Sequence, residues 1–81
     1  ISASGYSEEC GFTCGFEEQV KLRRLLIEKA RSVIILMDST KFGRMLPYTF
    51  AKMEDVNFLV TDQTPSQEML ELAQKNNVTI L

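Results

Sequence analysis

The sequence predicts an α/β fold with a mostly parallel sheet flanked by helices. Two apolar runs, Val33–Met37 and Val56–Thr61, are rich in β-branched residues and too short for helices, so they read as strands buried on both faces. Two helical stretches alternate with them, one from about Phe16 to Ala30 and one from Thr64 to Asn76-Asn77, which is the order that gives a parallel sheet.

The chain opens with Ile1–Ser4, which reads as the tail of a strand ending at Gly5. Tyr6 to Gly15 reads as a loop leading to the first helix. Gly15 is the expected N-cap there, with Glu17 and Glu18 placed against the positive end of the helix dipole. Val20, Leu22, Leu25, Leu26, Ile27 and Ala30 spread over a broad apolar arc, so this helix is expected to be covered on more than one side. Lys21, Arg24, Glu28 and Arg31 form a polar strip, read as a solvated face with i, i+4 pairing between Arg24 and Glu28.

After the first buried run comes a polar loop, then Met45–Met53, where Pro47, Tyr48 and Phe50 suggest a loop or short edge strand. Thr64-Pro65-Ser66-Gln67 reads as a capping box, with Thr64 at N-cap. The second helix carries Met69, Leu70, Leu72 and Ala73 inward and stops at Asn76-Asn77, where asparagine tolerates the left-handed conformation. Val78–Leu81 starts a last strand.

With 81 residues, 44% of them apolar, the chain is one small domain or part of a larger one. A net charge of -2 and a pI near 5.0 give no basic field for a phosphate backbone, so nucleic acid is not the direct partner of this segment. Cys10 and Cys14 have no histidine to complete a zinc set; they read as two reduced thiols of a cytoplasmic protein, with a redox pair or metal site as the alternative. No run approaches the length of a membrane helix and no signal segment opens the chain, so no membrane partner is expected.

Ligands of open α/β sheets lie beyond the carboxyl ends of the strands. The expected exits are Ser4-Gly5, Asp38-Ser39-Thr40-Lys41 and Thr61-Asp62-Gln63-Thr64. Lys41 offers a compact positive charge, Ser39 and Thr40 offer hydroxyls, and Gly43 allows a turn with inward backbone donors. Those groups suit a phosphorylated small molecule. Asp38 would repel phosphate, and is expected to hold Lys41 or to accept from a sugar hydroxyl. The plainer alternative is that Asp38 only caps its own loop and Lys41 is solvated. Lys21, in the first turns of the helix, is either part of the solvated strip or a residue of the ligand crevice.

The ordered set Gly11-Phe12-Thr13, Glu17 or Glu18 with Lys21, Asp38-Ser39-Thr40-Lys41-Phe42-Gly43 and Leu59-Val60-Thr61-Asp62 resembles the C-terminal sensor domain of DeoR-type bacterial transcriptional regulators. The resemblance implies a Rossmann-like, ribose-5-phosphate-isomerase-like fold, present here as an incomplete C-terminal part. It implies that residues 1–81 are the C-terminal half of one effector-binding domain, with the first half and a helix-turn-helix DNA reader outside the chain.

It further implies a carbohydrate-operon regulator, typically a repressor, that binds a phosphorylated sugar effector, reaches operator DNA through the other domain and forms a homo-oligomer. The effector-binding candidates are Asp38, Ser39, Thr40, Lys41, Lys21 and Asp62, with Lys41 as the phosphate-facing lysine. No catalytic residue, cofactor or metal is expected. The alternative function is an isomerase-like enzyme of sugar phosphates. It needs a carboxylate near Lys21–Arg24, but that span reads Lys-Leu-Arg-Arg and the chain has no histidine.

Overall fold

The computed structural model describes residues 1–81 as two three-stranded sheets and two helices packed on one core. In chain order these are β1 (Gly5–Ser7), β2 (Gly11–Cys14), α1 (Glu17–Lys29), β3 (Ile34–Leu36), β4 (Tyr48–Ala51), β5 (Phe58–Val60), α2 (Gln67–Lys75) and β6 (Thr79–Ile80). One sheet is parallel, in the order β3-β5-β6, and its connections run through the segment carrying β4 and through α2. The α/β class and the parallel strands are therefore as expected.

The other sheet, β1-β2-β4, is antiparallel. Its first two strands lie where a loop from Tyr6 to Gly15 was expected, and the expected loop or edge strand at Met45–Met53 contributes β4. The alternation in this stretch is too short to stand out from sequence. Pairing supplies what periodicity does not: Tyr6 lies opposite Phe12, with ring centroids 4.6 Å apart. Gly11 sits in the left-handed region at φ 81°, and a Cβ there would lie 2.5 Å from the Ala51 carbonyl oxygen. Only glycine meets both requirements.

The core joins the two sheets. Phe12 and Phe50 from the antiparallel sheet and Ile35 and Leu59 from the parallel one are fully buried, and Met69 and Ala73 of α2 close over them. Ser2 bridges in parallel to Leu36, so the first residues flank β3 as a strand tail. A second parallel bridge, Tyr6 to Phe42, ties β1 to the loop after β3.

Five local expectations are corrected. β3 is not buried on both faces: Ile35 is enclosed, while Ile34 and Leu36 are 43% and 52% exposed because nothing in the chain packs on that side. The helix α1 is likewise covered on one side only. Val20 and Ile27 pack against the core, while Leu22, Leu25 and Leu26 face outward.

The cap of α1 is Phe16, without a side-chain bond, and not Gly15. At α2 the cap is Ser66, whose hydroxyl accepts from the Met69 amide at 3.2 Å. The helix therefore starts at Gln67, two residues later than a Thr64 cap implies. The expected Arg24–Glu28 pair also does not form: the Arg24 guanidinium donates to the Phe50 carbonyl at 3.1 Å and anchors α1 to β4. The C-terminal end of α2 is as expected, with Asn77 at φ 61°.

Gly11→Ala should destabilise the protein by about 2 kcal/mol or more, from left-handed strain plus displacement of β4. Gly15→Ala, where an added Cβ meets nothing within 4 Å, should stay within about 0.5 kcal/mol. Urea denaturation of the two variants tests the contrast.

Candidate functional site at the strand exits

The carboxyl ends of β3 and β5 lie side by side in the parallel sheet, Leu36 opposite Val60. Asp38 and Asp62 follow each strand by two residues, so the topology brings both carboxylates to the same end of the sheet. From there the chain enters a single 3-10 turn, Ser39–Lys41.

Both carboxylates are spent on this turn. Asp62 Oδ1 accepts from the Ser39 amide at 2.7 Å, bridging the exits of β3 and β5. Asp38 Oδ1 accepts from the Thr40 amide at 2.9 Å and from the Thr40 hydroxyl. Each acid is held below the ordinary carboxylate range, Asp38 chiefly by the Thr40 hydroxyl and Asp62 chiefly by the Ser39 amide. Hydrogen bonds to the charged form favour ionisation. The loop-capping role and the lysine-holding role of Asp38 coexist, for its Oδ2 lies 3.5 Å from Lys41 Nζ.

The expectation of inward backbone donors is corrected. The amides of Lys41, Phe42, Gly43 and Arg44 donate to the carbonyls of Asp38, Ser39, Tyr6 and Lys41. Together with Ser39 and Thr40, every amide from 39 to 44 is taken within the protein. Gly43, at φ 88°, serves to turn the chain onto β1. The remaining polar chemistry of the turn lies in its side chains: the Lys41 ammonium beside Asp38, the Thr40 hydroxyl donated to Asp38, and the Ser39 hydroxyl beside Asp62.

Of the six sequence-predicted residues, five come together here. Lys21 does not join them; it lines a separate shallow hollow on α1 with Arg24, Glu28 and Asp55. Both cysteines are free, Cys14 buried in β2 and Cys10 half-buried just before it.

Sequence reasoning missed the space beside the turn. A hollow of about 430 Å³ opens between β1, the Ser39–Gly43 segment and the start of α2, with Tyr6, Glu8, Ser39, Phe42, Ser66 and Glu68 on its walls. No lysine or arginine lines it. Tyr6 and Glu8 sit in what reads as an uninformative loop, so only their pairing into β1 and its turn could reveal them. Burial, with Glu8 nearby, raises the Tyr6 phenol above its ordinary value and keeps it protonated.

Residues 1–63 match the family described as the DeoR C terminal sensor domain. The chain belongs to that family. It is 35% identical over 81 residues to the HTH-type transcriptional repressor GlcR of Bacillus subtilis (strain 168), covering 100% of this chain and 31% of the relative. It is 30% identical over the same length to the HTH-type transcriptional regulator GlpR of Haloferax volcanii, covering 32% of that protein. The Deoxyribose operon repressor of Escherichia coli (strain K12) matches at 24% identity over 80 residues, 99% of this chain and 32% of the repressor. The chain thus spans about a third of the length of the curated relatives it matches. Those relatives are transcriptional regulators, and no helix here is long and apolar enough to cross a membrane.

The carboxylates give this sensor-family turn a defined acid response. Their native values are lowered, so the stabilisation they lend is present above the unfolded value of about 3.9 and is lost as pH falls through the native values. The Ser39 and Thr40 amide resonances should therefore hold their positions down to about pH 4 and shift below it. In Asp62→Ala the Ser39 step should vanish while the Thr40 step persists, as followed by NMR titration.

Proposed function

We propose that these residues are the C-terminal part of a sugar-phosphate-sensing domain in a DeoR-type transcriptional regulator, a repressor of carbohydrate metabolism. The observation that carries the reading is the turn at the parallel-strand exits, whose backbone is internally satisfied and whose exposed side chains gather the Lys41 ammonium and two hydroxyls around Asp38 and Asp62. The Lys41–Asp38 pair is exposed and therefore screened and weak. A doubly charged phosphate with several acceptor oxygens competes with that single carboxylate for the lysine.

In this reading Asp38, Ser39, Thr40, Lys41 and Asp62 form one wall of the effector site, within a Rossmann-like, isomerase-like sensor whose other half lies outside these residues. Lys21 is the one candidate that needs a neighbouring element to reach the ligand. The domain is not an enzyme: Lys21–Arg24 holds no carboxylate, and no histidine is present to move a proton. The effector acts by linkage in a homo-oligomer. It binds one arrangement of the sensor more tightly and biases operator-bound DNA readers by no more than that difference.

Calorimetric titration of the full-length protein with sugar phosphates and their unphosphorylated counterparts tests this. Binding should require the phosphate and weaken at least about tenfold, 1.4 kcal/mol, in Lys41→Ala. Equal binding to both proteins would remove Lys41 from the site.

A further inference from the structure

The hollow beside the turn shares Ser39 and Gly43 with the segment that presents Lys41, yet its electrostatic character is the opposite. Glu8 and Glu68 stand on its walls without a lysine or arginine. The start of α2 also faces it through Thr64, Pro65 and Ser66, and a helix N-terminus carries about half a positive charge. Two full carboxylate charges outweigh that half charge, and the Ser66 hydroxyl already accepts from the Met69 amide at the helix end. A phosphate is therefore unfavourable in the hollow and favourable beside Lys41.

The walls nonetheless suit a hydroxylated group. Tyr6 is only 5% exposed and lines the hollow, and no protein group hydrogen-bonds its hydroxyl. No buried side-chain polar atom is left without a partner, so this hydroxyl is not stranded but open to the hollow, where an incoming group can bond to it. Its phenol is protonated and donates; the carboxylates accept; Phe42, Met69 and Leu72 supply an apolar floor. Donor, acceptors and apolar face together match the hydroxyls and C–H faces of a sugar.

Resting on the function proposed above, we infer that this hollow receives the uncharged end of a sugar monophosphate whose phosphate lies against Lys41, with Tyr6, Glu8 and Glu68 as its hydrogen-bonding partners. The effector thereby has a direction. A second phosphate on the far end of the sugar meets Glu8 and Glu68, so the site selects monophosphates over bisphosphates.

The experiment titrates the full-length protein with inorganic phosphate, glucose 6-phosphate, fructose 6-phosphate, ribose 5-phosphate and fructose 1,6-bisphosphate. It is repeated on Tyr6→Phe, which keeps the ring against Phe12, and on the exposed double variant Glu8→Gln/Glu68→Gln, with thermal melts to confirm folding. At least one monophosphate should bind about tenfold or more tighter than inorganic phosphate, and the bisphosphate about tenfold weaker than that monophosphate. Tyr6→Phe should remove most of the monophosphate's advantage without changing inorganic phosphate binding. The glutamine pair should bring mono- and bisphosphate to within about threefold of each other. An unchanged advantage in both variants, or a bisphosphate bound as tightly as the monophosphate by the unaltered protein, overturns the inference alone. If no sugar monophosphate exceeds inorganic phosphate, it falls while a Lys41-dependent phosphate site stands. If not even phosphate binds, the proposed function falls with it.

Discussion

The arrangement at the strand exits depends on two aspartates accepting backbone amides. Asp62 reaches from the end of β5 to the Ser39 amide, and Asp38 folds back onto Thr40. Without the first bond, the exit loops of neighbouring parallel strands would be joined only through the sheet itself. With it, the turn carrying Lys41 is fastened to the strand beside it, and its orientation is inherited from the core packing of Ile35 and Leu59. Charged acceptors make stronger hydrogen bonds than neutral ones, which is why two carboxylates can fix so short a segment at an exposed position.

That fastening sets the terms of the anion recognition proposed above. Glycine-rich phosphate loops use free amides; this turn has consumed its amides in holding its own shape. In the effector site proposed above, recognition falls to side chains standing on a preset platform, so less ordering is needed when a ligand arrives. The Asp38 carboxylate, 3.5 Å from the Lys41 ammonium, keeps that charge placed over the turn.

Two apolar surfaces stay open, the Ile34 and Leu36 side of β3 and the Leu22, Leu25 and Leu26 stripe of α1. Both were expected to be covered from their apolar patterns. The pattern records what each element is suited to pack against, and burial requires the packing partner to be present. This is consistent with a family whose curated relatives are about three times as long as the chain.

Sequence alone determined the elements with strong local signals: the two buried runs that became β3 and β5, both helices, the left-handed stop at Asn77, and the polar turn after β3 with its family-specific order. Those depend on periodicity and backbone preference, which act between near neighbours. Helix starts slipped, to Phe16 and Ser66, because several adjacent residues can cap and the packing of the helix selects among them. Tertiary structure alone decided the rest. It made β1, β2 and β4 a sheet by pairing residues such as Gly5 with Thr13 and Phe12 with Ala51. It spent the loop amides on Asp38 and Asp62, left Lys21 outside the cluster, and set Tyr6, Glu8 and Glu68 around one hollow. Residues 60 positions apart share a wall only once the chain has folded, and no local propensity encodes that meeting.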